Sequence, residues 1–408
     1  MTLLIGLLCG RLYSSYDNTN VYVSKYVSNS LVSKDFKIPI GLERAVDFWI
    51  NVYSKYDVNH VLVHDTDNYI IYSIIDISDV SSMDDFSNEI KDEIINSRVN
   101  IVKNQYRSML KNIHETISSG GKLESSLENI YDKFNGVPGD NKFLEASRPG
   151  RIRAQKGQSS SFKEGLFYSQ LYMGEMEKIF AEKGLPLELA RLPYVESYFN
   201  PRAVSHKSAT GIWQFMRRTG AEYMRVSHIY DERKDPITST KAAAKLLKQS
   251  YEYLWRDWPL AVTAYNHGRF GMKKAANRSG TKDLVRIVKS YSTDSFGFAS
   301  KNFYAEFLAA LYIDLNKKSF FSDIEANKPL DLGFVTLVKP LRISQIELLL
   351  DVDKDKIRRY NPAVSEGAFE RDDLIPAGAR IGVPSQKAKK LLSETENTRS
   401  VTNYVKVM

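Results

Sequence analysis

Apolar residues recur at helical spacing near the start of the chain. Val46, Trp49, Ile50 and Tyr53 predict an amphipathic helix over residues 41–56. Two short apolar runs, 61–63 and 69–75, flank the turn-forming Asp65-Thr66-Asp67-Asn68 and predict a pair of strands. From 85 to 117, Ile90, Ile94, Val102, Tyr106, Met109, Ile113 and Ile117 fall close to one stripe that Gly120-Gly121 closes, the pattern of one long helix. A stripe of this kind packs, and no chemistry is assigned to it. Residues 118–160 are broken by Gly, Pro and Ser and read as a connection holding one short helix at 123–134. A dense helical series runs from Phe162 to about Leu315. Composition changes near Asn327-Lys328-Pro329, a compact segment extends to Pro384, and the polar tail beyond is expected to be disordered apart from one short helix. Residues 11–40, rich in Ser, Asn and Tyr, read as a linker or wrapping arm.

At 408 residues the chain is too long for one ordinary core, and its 43% hydrophobic and 26% charged residues exclude a mostly disordered protein. A single cysteine, Cys9, excludes an internal disulfide framework and a cysteine-built metal site, and six scattered histidines speak against a histidine-rich one. No metal or other cofactor is expected. The net charge of +8 is unevenly placed: residues 151–320 carry +12 and the remainder −4. That segment favours anionic partners, although its basic residues form no recognised nucleic-acid motif. No run of 18 apolar residues exists, which excludes a polytopic membrane protein. The apolar start MTLLIGLLCG is compatible with the tail of a lipoprotein signal ending at Cys9, or with an arbitrary apolar start. No basic region precedes it, and Leu8 stands where a small residue belongs.

Four segments carry the candidate chemistry. In GLPLELARLPYVESYFNP, Leu189, Leu192 and Val195 share one face of a helix, with Pro186 suited to its first turn, so Glu196 comes at the end of an apolar helix. A carboxyl placed there is partly desolvated and keeps its proton to higher pH, as a general acid requires. The alternative at this point is a surface glutamate paired with Arg191 or Arg202. Next, GIWQFM joins a glycine turn to Trp213 and Gln214 just inside a new helix. AYNHG ends a helix begun at Trp258-Pro259 and places Tyr265 and Asn266 at its C-terminal end. SKNFYAEFLAA opens another apolar helix with Tyr304 in its first turns.

These four motifs, in this order over residues 151–315, resemble the goose-lysozyme-like catalytic domain of the soluble lytic transglycosylase superfamily. Within it, they are similar to the membrane-bound lytic murein transglycosylase D family. The resemblance implies a lytic transglycosylase of peptidoglycan, with Glu196 as the single acid and base and Ser197 as its polar neighbour. Gln214 would line the sugar groove, Tyr265 and Asn266 would form its opposite wall, and Tyr304 would orient the carboxyl or the sugar. Two positions depart from the family: Trp213, often a methionine, and His267, often a small residue. Two carboxylates serve an ordinary glycosidase, whereas one suffices when the substrate supplies its own nucleophiles. In the implied mechanism the N-acetyl group stabilises the cation at C1 of N-acetylmuramic acid. The C6 hydroxyl then attacks C1, leaving a 1,6-anhydro end without consuming water.

Residues 330–384 resemble a divergent LysM module, matched by Phe334-Val335-Thr336-Leu337, Asn361-Pro362 and the closing Ala379-Arg380-Ile381-Gly382-Val383-Pro384, but with Lys339-Pro340-Leu341-Arg342 in place of the usual Gly-Asp-Thr/Ser turn. The segment with Asp47-Phe48-Trp49 and His64-Asp65 looks like an accessory region that packs on the catalytic domain. The expected fold is mainly α: a possible signal or lipoprotein start and linker (1–40), a small α+β accessory region (41–150), a lysozyme-like helical catalytic domain (151–325), a βααβ LysM-like module (330–385) and a polar tail (386–408). The expected partners are peptidoglycan glycan strands, with no nucleic acid, in a periplasmic cell-envelope setting and with outer-membrane association through a lipidated Cys9. A hydrolytic goose-type lysozyme and a non-catalytic peptidoglycan-binding protein remain the alternatives.

Overall fold

The computed structural model describes residues 33–329, 331–395 and 404–407, so Cys9 and most of the expected arm lie outside the described residues. The protein is mainly α, with small sheets. The described residues divide into two compact units: those up to Lys163 with Ser250–Ser322, and Glu164–Gln249 with those from Asp323 onward. The division cuts through the segment 151–325.

In the first unit, strands His60–Asp65, Ile71–Asp76 and Ile152–Lys156 form an antiparallel sheet with His60–Asp65 in the centre. The first two match the expected runs; the third does not, because residues 151–160 fall within the expected connection. In that strand Ile152 and Ala154 alternate with Arg153 and Gln155, a period of two within that stretch. Alternation also explains the central strand. Val61 and Val63 join the core beneath the long Asn88–Ser118 helix, while His64 on the other face lies 4.3 Å from the Phe48 ring and 5.8 Å from Phe298. The long helix buries Val102 and Ile113 as its stripe predicts, but Ile90 and Ile117 at its two ends stay exposed. His64-Asp65 proves structural. Asp65 is fully buried, accepts from the backbone N–H of Asp67 and Asn68, and pairs with Arg151 at 2.9 Å. Burial lowers the His64 imidazole to a pKa of about 4, keeping it neutral.

The Phe298–Leu315 helix is predominantly apolar and buried along most of its length, as a central core helix must be. The Glu43–Ser54 helix packs along it, with Trp49 Nε1 donating to Asn302 Oδ1 at 2.8 Å. The accessory segment thus shares a core with the Tyr304 helix.

In the second unit, Arg380–Pro384, Leu332–Leu337 and Val405–Val407 form an antiparallel sheet with Leu332–Leu337 in the centre. The tail therefore does not end in disorder: Val405–Val407 completes the sheet, and the Val338 N–H bonds the Tyr404 carbonyl at 2.8 Å. Between the central strand and Arg380–Pro384 the chain forms helices Ile343–Leu350, Lys354–Tyr360 and Glu366–Arg371, one more than a plain βααβ order holds. Asn361 explains why an Asn-Pro stands where it does. Its buried carboxamide accepts from the Gly382 N–H at 2.7 Å and donates to the carbonyls of Ile357 and Gly382. Tyr230, from the helical part of the same unit, lies inside this core. Its hydroxyl donates to the Arg380 carbonyl at 2.9 Å, and the Asp231 N–H meets the Ala363 carbonyl at 2.7 Å.

Candidate active site

The Glu196 segment is not one helix. Pro186 precedes a 3-10 turn, Leu187–Arg191, and a short α-helix, Leu192–Ser197, begins with Pro193 in its first turn, where a missing N–H costs nothing. Leu189, Leu192 and Tyr194 are buried, and Tyr194 donates to Ser169 Oγ at 2.8 Å. Immediately after Ser197 the chain turns through two left-handed residues, Tyr198 at φ 51° and Phe199 at φ 59°. Non-glycine side chains adopt that region at a cost. Here full burial of the Phe199 ring and the bond from its N–H to the Pro193 carbonyl at 3.2 Å hold the conformation.

Glu196 stands at this strained helix end. The residue is half-buried as a whole, and burial of its carboxyl pushes the pKa up to about 8. Neither candidate arginine takes it up: Arg191 pairs with Glu177, and Arg202 lies 3.5 Å from Glu366. The desolvated carboxyl is protonated near neutral pH and becomes a strong base once its proton has left.

Ser197 Oγ donates to the Ile212 carbonyl at 2.9 Å, tying the helix end to the GIWQFM segment. That segment is a turn and not the start of a helix; the next helix spans Arg217–Ala221. The cause is local. Gly211 sits at φ 81° with its backbone so near the Arg233 carbonyl that a Cβ would lie 1.8 Å from that oxygen, and Gln214 is left-handed at φ 48°. Gln214 Nε2 donates to the Gly211 carbonyl at 2.8 Å and the Ala203 carbonyl at 3.3 Å. Trp213 is fully buried, its Nε1 donating to Thr240 Oγ1 at 2.8 Å, so it offers no face to a sugar.

Arg233 is the residue that sequence reasoning missed. Its buried guanidinium pairs with Asp231 at 2.7 Å and donates to the carbonyls of Phe215 and Ser208, bracing both ends of the turn. In the sequence it lies within Asp231-Glu232-Arg233-Lys234-Asp235, which looks like an ordinary solvated charge run.

The other three predicted residues belong to the first unit. The Trp258–His267 helix starts as expected, capped by Asp257, which accepts from the Leu260 N–H at 2.8 Å, and ends at Gly268. The Tyr265 ring lies parallel to Phe303 at 6.4 Å. Asn266 is exposed, and its Oδ1 accepts from Ser300 Oγ at 2.7 Å, which orients the carboxamide. His267 Nδ1 lies 3.0 Å from the Ser295 carbonyl and its ring meets the edge of Phe296; burial lowers its pKa. Tyr304 is 2% exposed, and burial, followed by the charge of Asp257, raises the pKa of its phenol well above the ordinary value. Among the described residues, no group of three His, Cys, Asp or Glu can hold a metal ion, and no helix is long and apolar enough to cross a membrane.

Residues 177–287 match the model of the transglycosylase SLT domain, a stretch that contains Glu196, Ser197, Gln214, Tyr265 and Asn266. Among curated proteins, the chain is similar to the membrane-bound lytic murein transglycosylase D of Escherichia coli strain K12. It is 27% identical over 236 residues, covering 55% of this chain and 51% of the relative. The protein of the same description from Escherichia coli O6:H1 matches with the same figures. The chain thus spans about half the length of these relatives.

Proposed function

We propose that the chain is a peptidoglycan lytic transglycosylase, a reading supported by the match of residues 177–287 to the transglycosylase SLT domain and by the similarity to the murein transglycosylase relatives. It would cleave the MurNAc-β-1,4-GlcNAc bond without water, with Glu196 acting as acid and then as base. One observation supports this reading: the carboxyl of Glu196 stands at a strained helix end with its pKa raised by burial to about 8. Protonated at neutral pH, Glu196 gives its proton to the glycosidic oxygen as the bond to C1 breaks. The substrate's N-acetyl oxygen stabilises the positive charge at C1. The desolvated carboxylate then takes the proton of the C6 hydroxyl as that oxygen bonds to C1, which closes the 1,6-anhydro ring and restores Glu196 to its starting form. Because the nucleophile is intramolecular, its effective concentration replaces a second carboxylate and a bound water.

In this reading Ser197 positions the carboxyl by holding the helix end, while Gln214, Tyr265 and Asn266 contact the glycan. Tyr304, which is buried, orients its surroundings from within the core. The +12 charge of residues 151–320 complements the carboxylates of lactyl-peptide stems. We assign the 330–385 segment as a LysM-like glycan-binding unit and the cell envelope as the setting, with Cys9 as the lipid attachment point. Retention of the Glu196→Gln protein on insoluble peptidoglycan and loss of fatty-acid labelling in Cys9→Ser check these two assignments.

The decisive experiment digests purified peptidoglycan with wild type and Glu196→Gln and analyses the muropeptides by mass spectrometry. Anhydro ends that vanish in the variant are expected. Reducing ends would instead identify a hydrolase of the goose-lysozyme type, and binding without release a non-catalytic protein.

A further inference from the structure

A cleft of about 330 Å³ opens in the first unit, near the lower bound of roughly 300 Å³ for small-ligand sites. Arg44, Asp47 and Asn51 reach it from one face of the Glu43–Ser54 helix, where the spacings i, i+3 and i+7 bring side chains into line. Asn68 lines it from the turn after the central strand, and Lys133 and Asn135 from the end of the Ser125–Lys133 helix.

Asp47 makes this cleft unusual. Its side chain is 4% exposed, and neither carboxyl oxygen has a hydrogen-bond partner among the described residues. The neighbouring amide does not serve it, because Asn51 Nδ2 donates to the Asp47 backbone carbonyl at 2.8 Å. Burial first, and the charge of Glu43 second, push the Asp47 pKa up to about 7. A buried carboxyl left without donors is costly, and native proteins seldom keep one without a use. Two cations share the cleft, Arg44 one turn before Asp47 on the same helix and Lys133 from the end of the Ser125–Lys133 helix. Arg44 spends one donor on the Asn135 carbonyl at 3.1 Å and keeps others of its five N–H groups. Lys133 is half-buried, and burial lowers its pKa.

The pattern of charges selects the ligand. An inorganic anion satisfies the cations but meets the Asp47 carboxylate, while a metal cation meets Arg44 and Lys133. A neutral sugar brings hydroxyl donors but no charge for either group. A molecule with an ammonium at one end and a carboxylate at the other satisfies both. We propose that this cleft binds a small zwitterion, a free amino acid or a short peptide, with its ammonium on Asp47 and its carboxylate on Arg44 and Lys133. The ammonium offers three donors to the two orphaned oxygens, and the carboxylate accepts from the guanidinium fork. No part of this rests on the lytic activity proposed above.

The test is calorimetric titration of the full chain with alanine, glutamate and alanyl-alanine of both hands. N-acetyl-alanine and alaninamide serve as blocked controls, each lacking one charge. At least one zwitterion is expected to bind, with each blocked form at least ten-fold weaker. Preference for the single residues over the dipeptides identifies a free amino acid as the ligand, and the reverse a peptide end. Asp47→Asn is expected to weaken binding at least ten-fold and Arg44→Ala several-fold. Absence of binding by every zwitterion overturns the proposal, as do blocked forms that bind equally well or an Asp47→Asn protein that binds like wild type. Should Asp47→Asn fail to fold, Arg44→Ala and Lys133→Ala decide the matter, and unchanged affinity in both overturns it.

Discussion

Ser197 Oγ and the Ile212 carbonyl lie 2.9 Å apart, and through that bond the helix end that carries Glu196 is fastened to the turn that carries Gln214. Removing it is expected to loosen a positioning contact while leaving the carboxyl in place. Ser197→Ala should lower kcat on peptidoglycan roughly ten-fold, equivalent to about 1.4 kcal/mol in the barrier, with a smaller change in KM. Stability should fall by only about 1 kcal/mol, the usual net worth of one such bond. Steady-state turnover with denaturant unfolding separates the two effects, and an unchanged kcat would remove Ser197 from the site.

The raised pKa of Glu196 predicts two pH effects. Its ordinary value of 4.5 applies in the unfolded chain and about 8 in the folded one. Between these values the folded state holds a proton that the unfolded state has released, so this group's contribution to stability declines as pH rises through that window. Glu196→Gln escapes the loss, and its melting temperature should exceed that of wild type by a margin that widens from pH 5 to pH 8. Turnover should fall as pH rises past about 8, where the acid form is depleted. A constant melting difference across this range would contradict the burial of the carboxyl.

Gly211 leaves no room for a side chain. A Cβ there would lie 1.8 Å from the Arg233 carbonyl, and the residue sits at φ 81°. Gly211→Ala should cost more than ~2 kcal/mol, because clash and backbone strain act together. Chemical denaturation is the direct measurement, and a soluble variant should also show weakened turnover as the Gln214 turn shifts.

Trp213 departs from the family's usual methionine without facing the substrate. Trp213→Phe should cost about 1–2 kcal/mol through the lost bond to Thr240 and the smaller ring. The spectrum of muropeptide products should stay the same. A changed product spectrum would place the indole at a sugar subsite, against its complete burial.

Where hydrophobic spacing was strong, the fold was legible. The Glu43–Ser54, Asn88–Ser118 and Trp258–His267 helices lie within a few residues of the expected bounds, and so do the first two strands. Failures came where a distant contact decides. Ile152–Lys156 becomes a strand because His60–Asp65 offers it an edge, and Val405–Val407 because Leu332–Leu337 does. GIWQFM is a turn because of a carbonyl 22 positions downstream of Gly211. At the candidate site, the desolvation of Glu196 could be anticipated from its apolar neighbours. The bracing by Arg233 could not, because a buried arginine and a solvated one look alike in a charge run.

Tyr230 gives the C-terminal segment a history as well as a structure. Its ring fills the core of that segment, its hydroxyl holds Arg380, and Arg380 in turn grips Asp235 at 2.6 Å. Such a segment is not a cassette that recombination can exchange at a linker. A gene fusion that replaced residues after Pro329 would strand an aromatic ring in water and take its arginine partner from Asp235, two residues from the arginine that braces the Gln214 turn. Tyr230, Asp235 and Arg380 therefore act as one unit, and a substitution at any of them is felt by the other two.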